Sequence, residues 1–146
     1  MYKTKQIGWM IIILVLSLSL GLLAMTMFPS EDIQDVRLIV YATVGVSAIL
    51  LLLFYQLETV VDESGITLTF GIGLIKKQIL LSDIERTEVV KNKFWYGWGI
   101  RLTPHGWLWN VAGYDAVEIT YKNGNRKFRI GTKDANLLKE EIDKRL

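Results

Sequence analysis

The sequence lacks the residues on which many kinds of site depend. It has no cysteine, one histidine and two prolines among 146 residues. Without cysteine the chain can form no disulfide, no thiolate metal site and no thiol nucleophile. The single histidine, His105, lies in a Pro-His-Gly turn and has no second histidine with which to share a metal. The sequence therefore predicts neither a metal nor any other cofactor.

Strong charge of one sign and a catalytic constellation are also missing. The net charge is only +2, whereas nucleic-acid-binding domains usually carry a dense basic face, so we expect no nucleic-acid partner. Ser82 and Asp83 have no base near them in sequence, and acyl transfer needs a nucleophile, a base and an orienting group together. The Gly-x-Gly segments at residues 71 and 97 open no predicted helix, unlike a phosphate-binding fingerprint. We predict that the protein is not an enzyme.

Two long apolar runs dominate the first 57 residues. Residues 7–28 and 38–57 contain no charged side chain. A hydrocarbon core of about 30 Å needs about 20 helical residues, and a backbone in hydrocarbon must satisfy its own hydrogen bonds. Both runs are therefore predicted as transmembrane helices. The alternative for the first run, a cleaved signal peptide, is disfavoured because its apolar stretch exceeds the roughly 7–15 residues typical of such peptides.

Charges flanking the two runs predict an orientation. The connector over residues 29–37 carries three acidic residues and one arginine, whereas the N-terminal tail carries Lys3 and Lys5. Within the connector, Pro29 is predicted to end the first helix. The positive-inside rule places both termini in the cytoplasm and the acidic connector outside. The sequence thus predicts a multi-pass protein of the cytoplasmic (inner) membrane, anchored by residues 1–57.

The hydrophobic period changes from helical to two after residue 58. Apolar and polar residues alternate in segments such as Ile66–Phe70 and Val117–Tyr121, which indicates strands with one buried face. Asn123-Gly124 is the strongest hairpin signal, because both central positions of a type I′ turn need positive φ. We predict strands near residues 57–62, 65–71, 74–80, 84–91, 99–103, 107–111, 115–122 and 125–131. Residues 81–84 are predicted as a turn or a short 3₁₀ segment.

The last segment has a helical pattern. Thr132 is predicted to cap a helix over residues 133–145, in which Ala135, Leu138 and Ile142 share one face. A helix this short must pack that face on the sheet to be stable. The predicted fold is a membrane α-hairpin plus a mainly-β domain over residues 58–146. That domain would be a small barrel or strongly bent sandwich of antiparallel strands, with the helix closing one open end.

Several segments carry a resemblance to a known family. The run YGWGIRLTPHGWLWNV over residues 96–111 resembles the central signature of bacterial pleckstrin-homology-like (PH-like) domains, as do residues 79–84 and 116–132. The resemblance covers about residues 58–146. It implies a PH-like bent sheet of about seven strands capped by a C-terminal helix. In relatives that bind inositol phosphates the basic loop would fall at residues 71–77, which here offer Lys76 and Lys77 and no arginine.

Aromatic residues concentrate in one part of the β domain. Four of the five tryptophans lie within residues 95–109, where they either fill the core or form a contact surface. The second reading, together with the neighbouring lysines, gives a set of candidate residues for contact with lipid headgroups or a partner peptide: Lys76, Lys77, Lys91, Lys93, Trp95 and Tyr96. We expect a non-enzymatic scaffold at the membrane that binds a membrane protein or self-assembles. The alternative is a module that senses lipid headgroups through the basic and aromatic loop.

Overall fold

A computed structural model describes residues 1–27, 33–124 and 126–146. Its helices and strands, in chain order, are β1 (Tyr2–Ile7), α1 (Trp9–Met25), α2 (Ile33–Phe54), β2 (Gln56–Val61), β3 (Gly65–Phe70), β4 (Ile75–Leu80), β5 (Ile84–Lys91), β6 (Gly99–Thr103), β7 (Gly106–Asn110), β8 (Asp115–Tyr121), β9 (Lys127–Gly131) and α3 (Ala135–Asp143). Short 3₁₀ turns occupy Leu81–Asp83 and Phe94–Tyr96. The predicted helix stop at Pro29, and Glu31 and Asp32 of the predicted acidic connector, lie outside the described residues.

The strands form two sheets. The first has the order β1-β2-β3-β4 with antiparallel neighbours, and the second has the order β5-β8-β9-β7-β6. In the second sheet β7 and β9 run parallel, with Trp107 opposite Phe128. The prediction of antiparallel strands is therefore wrong for this pair, and the described residues form two packed sheets rather than a closed barrel. Alternation in a sequence indicates which side chains point inward, but it does not determine which strands become neighbours.

The core lies between the two sheets and under α3. The first sheet contributes buried residues such as Leu57, Ile66 and Phe70, and the second contributes Ile119 and Ile130. The predicted C-terminal helix is confirmed, and the buried side chains on its inner face are Ala135, Leu138 and Ile142. Its cap differs from the prediction. The carboxylate of Asp134, not the hydroxyl of Thr132, accepts a hydrogen bond from the Leu137 amide at 3.0 Å.

Strand β1 is absent from the strands that the sequence predicts. It pairs along its whole length with β2, and Lys3 and Lys5 lie 2.9 and 3.1 Å from the carboxylate oxygens of Glu58. Its alternating residues are mostly polar, so it gives no hydrophobic period by which a strand is recognised. The lysines that precede the first apolar run thus belong to the edge of the first sheet.

The helices α1 and α2 form an antiparallel pair inserted between β1 and β2. The amide of Gly8 donates to the carbonyl of Tyr55 at 2.8 Å and joins the start of α1 to the end of α2. Residues Val36–Phe54 of α2 have a mean hydropathy of 2.3 and are long and apolar enough to cross a membrane. Helix α1 is apolar but has only 17 residues. Among the described side chains of the two helices, only Val40 is buried, so the rest of this chain leaves their apolar surface uncovered.

Candidate functional site

The end of the helical pair is fixed to the β domain by a small group of contacts. The amide of Ile72, in the turn between β3 and β4, donates to the carbonyl of Leu52 in α2 at 3.2 Å. The neighbouring amide of Gly71 donates to the carbonyl of Gln56 at 2.9 Å. The last carbonyls of a helix have no partner within the helix, so this turn satisfies one that would otherwise remain free. The turn between β3 and β4 therefore acts as a cap on α2.

Gln6 of β1 links the second sheet to this end of the helical pair. The side-chain amide of Gln6 donates to the carbonyl of Ala112 at 2.5 Å, and its oxygen accepts from the amide of Val111 at 3.3 Å. Gln6 is buried, so both ends of its amide need these partners. We call the junction formed by Gly8, Tyr55, residues 71–74 and residues 111–113 the root. It ties the helical pair to both sheets.

Two apolar side chains project from the root. Ile72 is 58% exposed and Leu74 is 74% exposed, although both are large and apolar. Ile72 stands beside the last residues of α2, because its amide bonds to the carbonyl of Leu52, and Leu74 follows in the same turn. Lys76 follows on β4 and is exposed. Of the lysines singled out from the sequence, Lys76 and Lys77 lie on the strand that follows this turn.

The other candidate residues lie elsewhere. Lys93 places its amino group 5.1 Å from the ring centre of Trp95, which is 63% exposed, and Tyr96 packs edge-on against His105. His105 lies in the turn between β6 and β7, at the end of β7 opposite to Asn110 and the root. Lys91 is exposed at the end of β5. The structure brings Lys93, Trp95 and Tyr96 together, and it places Trp95 and Tyr96 by the β6–β7 turn, away from the root.

The aromatic residues divide between core and surface. Trp109 is buried, with its ring 5.1 Å from that of Phe70 and 5.9 Å from that of Phe128. Phe94 and Trp107 are exposed. Some aromatic residues of this cluster, such as Trp109, therefore fill the core, and others, such as Phe94 and Trp107, lie on the surface.

An ionic network lies on the outer face of the second sheet. Glu118 is only 3% exposed and accepts hydrogen bonds from Arg129 at 2.7 Å and from Lys127 at 2.5 Å. Arg129 also donates to the side-chain oxygen of Asn92 at 3.2 Å. Burial by itself raises the pKa of Glu118, but the hydrogen bonds from Lys127 and Arg129 outweigh it and lower the pKa below its ordinary value. The register places Glu118 opposite Arg129, a pairing that the sequence shows only once strand neighbours are known.

A cleft of about 1040 Å³ opens beside β4, between the two sheets. Four of the side chains that line it are cationic and one is a carboxylate, namely Lys77, Arg86, Arg126, Lys127 and Asp83. Lys77 lies over the ring of Phe128, 5.3 Å from its centre. Tyr121 is half-buried at the cleft, and burial, reinforced by the nearby negative charge of Asp83, raises its pKa. Of the cations, Lys77 is the one among the candidate site residues of the sequence analysis. The others come from segments distant from it in sequence, so that only the fold shows that they share a cleft.

The described residues contain no group of three or more His, Cys, Asp or Glu that could hold a metal ion. Comparison of the chain with protein families, with curated proteins and with solved structures found no match. The resemblance to PH-like domains therefore stays a prediction.

Proposed function

We propose that this chain is a non-enzymatic PH-like module anchored in the cytoplasmic membrane by two helices, whose β domain binds a protein partner at the inner surface. The observation that carries the proposal is the root, where the turn between β3 and β4 caps α2 through the Ile72 amide. A helix that leaves the membrane and is capped by the domain itself has no flexible linker. The domain is then a fixed platform on the membrane surface.

The uncovered surface of both helices favours two spans over one. A core helix of a soluble protein is mostly buried, whereas α1 buries no residue and only 6% of the α2 window is buried. Exposed apolar surface on this scale is typical of contact with lipid. Helix α1, at about 1.5 Å per residue, is about 25 Å long and stands at the lower limit for a span. Because α1 lies antiparallel against α2, both helices would reach a similar depth in the bilayer.

The orientation proposal gains support from β1. Because β1 pairs with β2, the residues before α1 and the residues after α2 must lie on the same side of the membrane. A signal peptide cleaved after α1 would remove β1 as well, and with it the partners of Glu58. The positive-inside rule assigns this side to the cytoplasm.

The lipid bilayer is itself a partner in this proposal. Ile72 lies at the end of α2, where the headgroup region would begin in this proposal, and Leu74 and Lys76 follow it in the chain. A basic residue near an anionic leaflet contributes on the order of 1 kcal/mol to its attraction. A second candidate function, recognition of lipid headgroups, is favoured by this arrangement at the root. The exposed loop with Lys91, Lys93, Trp95 and Tyr96 is the competing lipid-contact segment.

The absence of native cysteine allows the two-span topology to be tested with single-cysteine variants. We expect Glu31→Cys to react with a membrane-impermeant maleimide in intact cells, and Lys122→Cys to react only in inverted membrane vesicles. The unaltered chain, which has no cysteine, is the control for background labelling. Reaction of Lys122→Cys in intact cells, or of both positions from the same side, would contradict the proposal.

A further inference from the structure

The cleft beside β4 is built from a sheet edge. Strand β4 ends the order of the first sheet, and among the described residues it pairs with β3 alone. Three consecutive residues of β4, Lys77–Ile79, line the cleft. Successive side chains of a strand point to opposite faces, so a cavity that meets three in a row faces the edge of the strand. The unpaired backbone of β4 is therefore open to the cleft.

The charge of the cleft is only partly balanced. Lys127 is paired with Glu118 at 2.5 Å, and Arg86 lies 3.3 Å from Glu88 on the exposed surface. Lys77 and Arg126 form no ion pair with any residue that the structure describes, and Asp83 is the one acidic residue of the lining. Two cations thus remain available to an incoming anion.

The position of the cleft favours a soluble protein segment as the ligand. It is lined by Gly106 and Lys127, which begin β7 and β9, whereas the opposite ends of these strands, Asn110 and Gly131, lie by the root. Most of the lining therefore lies towards the end of the second sheet away from the root, and only the β4 side, at Lys77, runs back towards the root. A soluble protein segment can approach the cleft from the far end and follow the edge of β4.

We propose that an acidic, extended segment of a partner protein binds as an additional strand along β4, with its carboxylates on Lys77 and Arg126. Strand addition at a sheet edge supplies main-chain hydrogen bonds, and the side chains of alternate residues supply specificity. A second copy of this chain fits poorly, because pairing of two β4 strands would place four lysines, Lys76 and Lys77 of each copy, in one short ribbon to which β4 contributes no acidic residue. This inference rests on the proposed protein-binding role and names the chemistry of the partner.

The test uses the full chain in phosphatidylcholine nanodiscs. The probe is a fluorescein-labelled decapeptide of alternating Glu and Thr, and the matched probe has Gln in place of Glu. We expect only the Glu peptide to bind, and Lys77→Gln and Arg126→Gln each to weaken its binding roughly fivefold, as for a solvent-exposed ion pair. Lys133→Gln, an exposed lysine outside the cleft, is the control and should bind as the unaltered chain does. Hydrogen exchange should slow, when the Glu peptide is added, for those amides of residues 75–80 that do not bond to β3.

Equal binding of the two peptides, no binding of either, or binding that survives both substitutions would overturn the inference. Competition by millimolar inorganic phosphate or glycerol 3-phosphate that depends on Lys77 would overturn it in favour of a phosphate ligand. The outcome of the cysteine-labelling experiment does not depend on any of these binding results. The peptide-binding measurement likewise stays interpretable if the labelling contradicts the proposed topology. The two proposals therefore fail separately.

Discussion

Among single residues, Glu118 carries a charge that is almost fully removed from water. Arg129 and Lys127 compensate it, and Glu118 compensates Arg129 in return, because the guanidinium of Arg129 is also nearly buried. Removing one member of such a pair leaves the other charge buried without a partner, which typically costs about 3–5 kcal/mol. The network therefore stabilises the second sheet.

We expect Glu118→Gln to lower the free energy of unfolding by roughly 3 kcal/mol at neutral pH. The matched control is Glu140→Gln, which removes an exposed partner of Lys144 and should cost less than about 1 kcal/mol. Urea unfolding of the detergent-solubilised chain, followed by tryptophan fluorescence, measures both values. A loss for Glu118→Gln no larger than that for Glu140→Gln would show that the pair contributes little.

The same residue predicts a pH dependence. The pKa of Glu118 is lower in the folded chain than its ordinary value of 4.5, so the carboxylate stabilises the fold above that value. This contribution is lost as the pH falls below about 4.5 and through the folded pKa. Stability of the unaltered chain should therefore decline in this range, and Glu118→Gln should show a weaker decline.

At the scale of elements, the turn between β3 and β4 joins α2 to the sheet. Gly71 has a φ of +50°, and a β-carbon there would collide with the carbonyl oxygens of Leu52 and Leu53. Gly73 in the same turn has a φ of +97°, but a β-carbon there would make only ordinary contacts, with the side chains of Lys76 at 3.7 Å and Thr69 at 3.8 Å. Comparing substitutions at Gly71 and Gly73 therefore distinguishes two effects. Both strain the backbone, but only a substitution at Gly71 also disturbs the contact with α2.

We expect Gly71→Ala to lower the melting temperature of the full chain in micelles clearly more than Gly73→Ala does. Both changes impose the strain of positive φ on alanine, about 1–2 kcal/mol, but only the first forces the turn away from α2. Circular dichroism measures the melting temperature, and hydrogen exchange of the Ile72 amide reports on the cap. Equal destabilisation, with an Ile72 amide that stays protected in both variants, would show that the turn does not depend on α2.

The elements of the β domain differ in how far the sequence reveals them. All eight strands predicted after the second apolar run are present within one or two residues, because each has a hydrophobic face and a turn signal beside it. Strand β1 escaped prediction because its formation depends on β2 and on Gln6, not on its own hydrophobicity. The parallel pairing of β7 with β9 and the basic cleft depend on strand order, which alternation does not encode.

At the scale of the whole molecule, the root and the cleft lie at opposite ends of β7 and β9. The root carries the uncovered apolar helices, Ile72 and Leu74, and most of the lining of the cationic cleft lies towards the other end. Because β1 and β2 continue directly into α1 and α2, the direction in which the cleft faces is set by the helices.

The depths of Ile72 and Trp95 in a bilayer test most directly the claim that the root, and not the aromatic loop, contacts the membrane. Spin labels are placed on Ile72→Cys and Trp95→Cys in nanodiscs, and their relaxation by oxygen and by a water-soluble nickel chelate is measured. We predict that the label at residue 72 is accessible to oxygen and protected from nickel, whereas the label at residue 95 is accessible to nickel. A label at residue 72 that is fully accessible to nickel, or the reverse pattern at the two positions, would contradict the claim.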